Sequence, residues 1–313
     1  SGVKHPPEPA ILLLGLPATG PLGEGAVCRA GRPHSGPALP FDYTTWKRLP
    51  RRPGQKDKDD MDANPPHPAD PRRPNPASIA VWEDVLGDGK SWVELQDMLP
   101  HPSTGVAPDL SIVNAARVSF LGESKGADKD RKLLFYLLKH RHTTPFEQVE
   151  FKFRVRAPVV VWWQWVRHRT WHYNFQSGRY LPFEDDDFYM PRVWRRQSAS
   201  NKQGSEGTLE DAENQTLTQQ LAEAVDRGYA LYRQALERGV AKEQARLFLP
   251  GWSAYYIAVC KVDAWNLMHF LRLRMAPDAQ WEIRQYALAI HAIFRQVLPW
   301  TAEAFDEYVR PEG

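Results

Sequence analysis

Between Arg167 and Tyr180 the chain reads Arg167-His168-Arg169-Thr170-Trp171-His172-Tyr173-Asn174-Phe175-Gln176-Ser177-Gly178-Arg179-Tyr180. Arginine forks bind phosphate or carboxylate oxygens through paired N–H bonds, and Ser177-Gly178 adds a hydroxyl and an unhindered backbone N–H for the same anion. The residue types therefore point to an anionic ligand. Composition alone leaves two other readings open, an Arg/Trp-rich surface held by cation–π contacts and a stacking platform for single-stranded nucleic acid. A second polar run, Lys139-His140-Arg141-His142-Thr143-Thr144-Pro145-Phe146-Glu147, sets two histidines close together. No third ligand follows at zinc-like spacing, so we read no metal site. Neither GxGxxG nor GxxxxGKS/T occurs, so a nucleotide or flavin has to be held by side chains and helix ends.

The elements that position these residues belong to a chain of 313 residues, 42% hydrophobic and 25% charged, with 40 basic against 38 acidic groups. That length and composition describe a folded protein with a sizeable core. The net charge of +2 is too balanced for a protein living on non-specific phosphate contacts, so no nucleic-acid partner is expected. Cys28 and Cys260 are the only two cysteines, which excludes a disulfide framework and favours a reducing, cytoplasmic compartment. The apolar stretch Ile11 to Leu16 is too short to span a bilayer, and Pro6, Pro7 and Pro9 spoil it as a signal peptide. No membrane association is expected.

More than half of the 27 prolines lie in residues 1–76, which cannot sustain regular helices or central strands. We read 1–76 as a Pro-rich extended arm and 77–313 as the folded body. Ile79–Val81 and Trp92–Leu95 read as strands around a Gly-Asp-Gly turn. Residues 127–139 read as a helix, and Val149, Phe151, Phe153 and Val155 alternate with charged residues as a half-buried strand. Val159–Trp171 reads as a Trp-rich helix and 196–215 as a surface loop. Helices are then predicted over about 216–238, stopped by Gly239, about 253–275, and about 279–297, ending at Pro299. Strands early and helices late, without a βαβ alternation, predict an α+β fold.

Taken in order, several segments resemble the flavin-dependent thymidylate synthase (ThyX) family. They are Asn114-Ala115-Ala116-Arg117-Val118-Ser119, His142-x-Thr144-Pro145-Phe146-Glu147, and Gln164-x-x-Arg167-His168-Arg169 with seven residues to Ser177 and Arg179-Tyr180. The similarity continues through Ala245-Arg246-x-x-Leu249-Pro250, Leu267-Met268-x-Phe270-Leu271-x-Leu273-Arg274, Ala279-Gln280-Trp281-Glu282 and Pro299-Trp300-Thr301. It covers roughly 78–309. The resemblance implies a ThyX-like fold, an antiparallel sheet with packed helices, in a homotetramer whose active sites are shared between subunits. It implies FAD, NADPH and 5,10-methylenetetrahydrofolate as cofactors, and reductive methylation of UMP or dUMP at uracil C5.

Carried over by matching position, Ser119, His142, Thr144, Glu147, Arg167, His168 and Arg169 would contact flavin. Gln164, Ser177, Gly178 and Arg179 would hold the nucleotide's phosphate and sugar. Arg246 and Arg274 would reach the uracil ring, where a guanidinium stabilises negative charge as the ring is activated. Ser177, Arg246 and Arg274 are thus the catalytic candidates. The chain departs from the family pattern at His172 and Phe175, where Ser and Glu are usual, and at Trp163, where an Arg is usual. Asp263, Trp265 and His269 also replace residues that relatives use near the FAD adenine. Loss of the glutamate removes an acceptor from the place of a ribose 2′-hydroxyl, so a relaxed sugar choice is expected. Relatives that methylate UMP serve peptidyl-nucleoside antibiotics such as polyoxins, and UMP is therefore a candidate substrate beside dUMP.

Overall fold

The computed structural model describes the backbone of residues 11–13 and all of residues 70–310. Most of the expected arm, residues 1–76, lies outside the described residues, as does Cys28. Its last stretch is tied to the body. The Asn75 N–H donates to Glu94 Oε2 at 2.6 Å, the Trp92 indole N–H donates to the Arg72 carbonyl at 2.9 Å, and Arg154 donates to the carbonyls of Arg73 and Pro71.

The fold is α+β, as the sequence predicts. Strands β1 (Ile11–Leu13), β2 (Ala80–Glu83), β3 (Trp92–Leu99), β4 (Glu150–Pro158), β5 (His172–Phe175) and β8 (Tyr255–Asp263) form one antiparallel sheet in the order β1-β2-β3-β4-β8-β5. Helices α1 (Pro108–Arg117), α2 (Ala127–Lys139), α3 (Val159–Trp165), α6 (Ala264–Arg274), α7 (Trp281–Val297) and α8 (Pro299–Tyr308) complete the main core. Phe151, Phe153 and Val155 of β4, with Ala258, Cys260 and Val262 of β8, send one face of the sheet into that core. Each fully buried large apolar side chain contributes about 1.5–3 kcal/mol.

A smaller core under α4 (Asp211–Glu237) gathers Phe183, Phe188, Val225, Tyr232, Ala235, Ala245, Leu249 and Ala254. The turn after α5 (Lys242–Ala245) packs on α4 at Gly228, where a Cβ would sit 2.6 Å from the Phe248 carbonyl oxygen. Only glycine allows that approach.

Four sequence readings change. The helix predicted over 253–275 is β8 followed by α6. β8 lies between β4 and β5, and its run from Tyr255 to Cys260 is apolar at every position, so no periodicity separates strand from helix. The helix predicted over Val159–Trp171 stops at Trp165, and β5 follows it. Pro299 starts α8 instead of only ending α7, because Asp109 accepts from the N–H groups of Trp300 and Thr301 at 2.9 and 3.0 Å. The loop expected over 196–215 contains the hairpin of β6 (Arg195–Gln197) and β7 (Ser205–Thr208), after which α4 begins at Asp211. α2 spans 127–139 as predicted, and Gly239 ends α4's run at φ +81°, a left-handed conformation that suits glycine at a helix end.

Candidate active site

Helix α3 turns Val161, Trp162 and Trp165 into the core and leaves Trp163 exposed, with Gln164 half-buried beside it. The chain then bends, with the His168 N–H donating to the Trp165 carbonyl at 2.9 Å and the Trp171 N–H to the His168 carbonyl at 3.2 Å. The Tyr173 hydroxyl lies 3.0 Å from both the Trp165 and the His168 carbonyl oxygens, pinning this bend to β5. Trp165 and Trp171 pack on Phe270 of α6, with ring centroids 5.0 and 5.1 Å away. Aromatic packing thus fixes the bend against α6.

Out of that packing comes one polar corner. Arg274, at the end of α6, donates its Nε–H to His168 Nε2 at 2.9 Å and an Nη2–H to the Gln164 carbonyl at 3.0 Å. His168 is buried. Burial, then the Arg274 charge and His269, push its pKa down to about 4, so the ring is neutral at physiological pH. Because an arginine only donates, Nε2 is the acceptor and the proton sits on Nδ1. Burial, then the nearby Arg167 charge, also lower the Arg274 pKa from its ordinary value.

A second cluster lies on the loop after β5. The Arg179 N–H reaches Ser177 Oγ at 3.3 Å, while the Tyr180 and Leu181 N–H groups donate to the Ser177 carbonyl. Lys242 Nζ donates to the Tyr180 carbonyl at 2.9 Å, and Arg179 pairs with Glu243 at 2.8 Å. Gly178 is held between two groups: a Cβ there would be 2.9 Å from the Phe183 ring and 3.5 Å from Arg246 Nη1. Arg246 thereby joins the loop that carries Ser177, Gly178 and Arg179.

Arg167 and Arg169 apart, the predicted site residues fall into three groups. Gln164, His168 and Arg274 form the corner, with Gln164 contributing its carbonyl. Ser177, Gly178, Arg179 and Arg246 form the loop face, to which the structure adds Lys242 and Glu243. Ser119, on the 3-10 turn after α1, and His142, Thr144 and Glu147, between α2 and β4, form neither. Among the described residues, no hydrogen bond or ion pair joins Ser119, His142, Thr144 or Glu147 to the other two groups. Sequence reading assigns no role to Lys242, Glu243 or Tyr173, since their partners on the loop and the bend are met only in the fold.

The donor set suits a flavin dinucleotide. Arg167 and Arg169 are exposed and form no side-chain hydrogen bond or ion pair with another described residue. Two cations with no anionic partner among the described residues match the diphosphate of such a cofactor. Cys260 offers no competing nucleophile, because burial raises its pKa far above the ordinary thiol range and the thiolate is the reactive form.

Residues 104–300 match the family model described as "Thymidylate synthase complementing protein". The chain is 46% identical over 220 residues to a flavin-dependent thymidylate synthase of Thermus thermophilus, covering 70% of this chain and 77% of that one. It is 42% identical over 241 residues to the flavin-dependent thymidylate synthase of Dictyostelium discoideum, covering 72% and 78%. Among solved structures it is similar to the UMP/dUMP methylase PolB from Streptomyces cacaoi bound with 5-Br dUMP, with a TM-score of 0.62, 32% identity and coverage of 71% of this chain and 97% of that one. The same methylase bound with 5-Br UMP gives a TM-score of 0.61 at 33% identity, covering 71% and 96%.

Proposed function

Because this chain belongs to the flavin-dependent thymidylate synthase family, we propose that it methylates uracil C5 of a uridine 5′-monophosphate, accepting UMP as well as dUMP. The carbon donor is methylenetetrahydrofolate and the reductant is NADPH. The observation that carries this reading is Arg274, held half-buried and fully charged by two neutral acceptors in a chain of this family. Bound FAD supplies the hydride for this chemistry, so no protein nucleophile is required. The chain's own residues bind and orient. Gln164, Ser177, Gly178 and Arg179 take the phosphate and sugar, Arg246 and Arg274 meet the uracil ring, and Arg167 and Arg169 hold the cofactor with Ser119, His142, Thr144 and Glu147.

We assign the corner and the loop face to two halves of a site shared between subunits of a homotetramer. Exposed Val118, Phe120, Leu121, Leu247 and Phe248 support an association that covers them. Cytoplasmic residence fits the cofactors; among the described residues no helix is long and apolar enough to cross a membrane.

Acceptance of UMP rests on Phe175. Its ring packs edge-on to Trp162, centroids 4.9 Å apart, and over Tyr173 at 6.0 Å. The place where the family pattern puts a glutamate is therefore filled by an apolar ring that offers a sugar hydroxyl neither acceptor nor charge. Such a site discriminates weakly between a sugar with a hydroxyl and one without.

Incubation with FAD, NADPH, methylenetetrahydrofolate and either nucleotide, followed by mass spectrometry, tests the reading. We expect both products to gain one methylene unit. Gain by neither would end the proposal, and gain by dUMP alone would end its UMP half. Phe175→Glu is expected to move the UMP-to-dUMP ratio of kcat/KM by about tenfold, one hydrogen-bonding group's worth. An unchanged ratio would remove Phe175 from sugar choice.

A further inference from the structure

The resemblance places His168 against the flavin, but its Nε2 faces Arg274. We propose that His168 is a positioning residue, which fixes the direction in which Arg274 presents its free N–H groups to the uracil ring. The inference rests on the reading of Arg274 as the uracil contact.

A guanidinium has five N–H donors in a rigid plane. Nε–H and the neighbouring Nη2–H form one edge of it. His168 takes the first at 2.9 Å and the Gln164 carbonyl takes the second at 3.0 Å. The side edge is thereby occupied, and the end fork formed by Nη1 and Nη2 is left to meet a ligand. With two anchors on one edge, the plane can neither rotate about Nε–Cζ nor swing about Cδ without breaking a hydrogen bond.

The chemistry of the anchors matters as much as their number. Both are neutral. A carboxylate in the place of His168 would hold the guanidinium equally well, but it would cancel the charge that the reacting uracil needs. The imidazole is kept neutral by its surroundings: Arg274 and His269 of α6 face it, the His269 ring centroid is 6.0 Å away, and Phe270 packs on it at 5.0 Å. Tyr173 of β5 holds the His168 carbonyl, so the backbone under the ring is fixed too. The network separates orientation from neutralisation, which a salt bridge cannot do.

Two variants and one spectrum test the proposal. His168→Leu removes the acceptor, and His168→Gln keeps one at similar reach. We expect the Leu variant to lose about 10- to 100-fold in kcat, the scale of one charge-assisted hydrogen bond. Its FAD content and its dUMP affinity, read by equilibrium dialysis, should stay within about twofold of wild type, since those groups bind elsewhere too. The Gln variant should recover most of the loss. Equal losses in both variants, or loss of FAD with kcat per bound flavin unchanged, would overturn the proposal. Should the variants fail to fold, histidine 15N spectra of the wild-type protein decide it. They should show a buried ring protonated on Nδ1, with Nε2 unprotonated throughout the neutral range. A ring protonated on Nε2 would exclude the bond to Arg274. The spectrum needs no turnover, so an inactive wild-type protein would refute the proposed methylation without touching this result.

Discussion

Arg156 and Arg274 are both gripped by the interior, and they differ in what grips them. Arg156, buried on β4, meets the Asp187 carboxylate at 2.8 Å, and its Nη1 donates to the Lys90 carbonyl. Its guanidinium also stacks over Tyr255, 4.8 Å from the ring centroid. Arg117 with Asp130, and Arg195 with Glu282, repeat that carboxylate arrangement elsewhere in the body. At Arg274 an imidazole and a carbonyl take the carboxylate's place. A buried charge needs partners in either case. Where the partner is an anion, the arginine joins elements together; where it is neutral, the charge stays available to something that arrives later.

The contrast breaks if the two arginines respond alike to removal. Arg156→Met should have the larger effect on the fold, lowering unfolding stability by about 3–5 kcal/mol because Asp187 is left buried and unpaired. Folded Arg156→Met protein should keep near-normal kcat, and chemical denaturation beside steady-state kinetics checks both. Arg274→Ala should reverse the pattern. We expect kcat to fall by about 10²–10³, as on loss of a transition-state donor. Stability should change by about 1 kcal/mol or less, because the side chain is half-buried and has no anionic partner among the described residues. A stability loss matching that of Arg156→Met, with kcat intact, would make Arg274 another joint.

A smaller effect sharpens the same point through pH. His168 has its pKa lowered to about 4 by burial, then by Arg274 and His269, against an ordinary value of 6.5. Between these values the unfolded chain binds a proton that the folded chain refuses, so stability falls as pH drops through that window and is full above it. His168→Gln should flatten the slope of stability between about pH 6.5 and 4. An unchanged slope, measured by denaturation at several pH values, would mean that the ring is not held neutral.

How much of this is legible in the sequence differs element by element. α2 can be read to its ends, since Leu133, Leu134, Leu137 and Leu138 mark one helical face behind a charged first turn. The reading of β3 stops at Leu95, because a bulge between Leu95 and Asp97 interrupts the alternation that marks a strand. The helical misreading of β8 comes from the unbroken apolar run from Tyr255 to Cys260, which hides the strand's alternation. At the site, the arginines and Ser177 can be picked out by type and spacing. The bond between His168 and Arg274 cannot, because 106 residues separate them and only the packing of α3, β5 and α6 brings them together. The same holds for Phe175 on Trp162. Pro299-Trp300-Thr301 is recognisable as a segment, while its local role, capping by the buried Asp109, becomes visible only when α1 and α8 meet.

The central claim is that one chain carries two halves of a uracil-methylating site, the Arg274 corner and the Arg246 loop face, which complete one another between subunits. Release of tritium from C5 of labelled dUMP tests it in a single assay. Wild-type protein should release it, and Arg274→Ala and Arg246→Ala should each be nearly silent. When the two variants are mixed under conditions that let subunits exchange, release should return, because some sites then pair an intact corner with an intact loop face. A mixture as silent as its components, beside an active wild type, would contradict the claim.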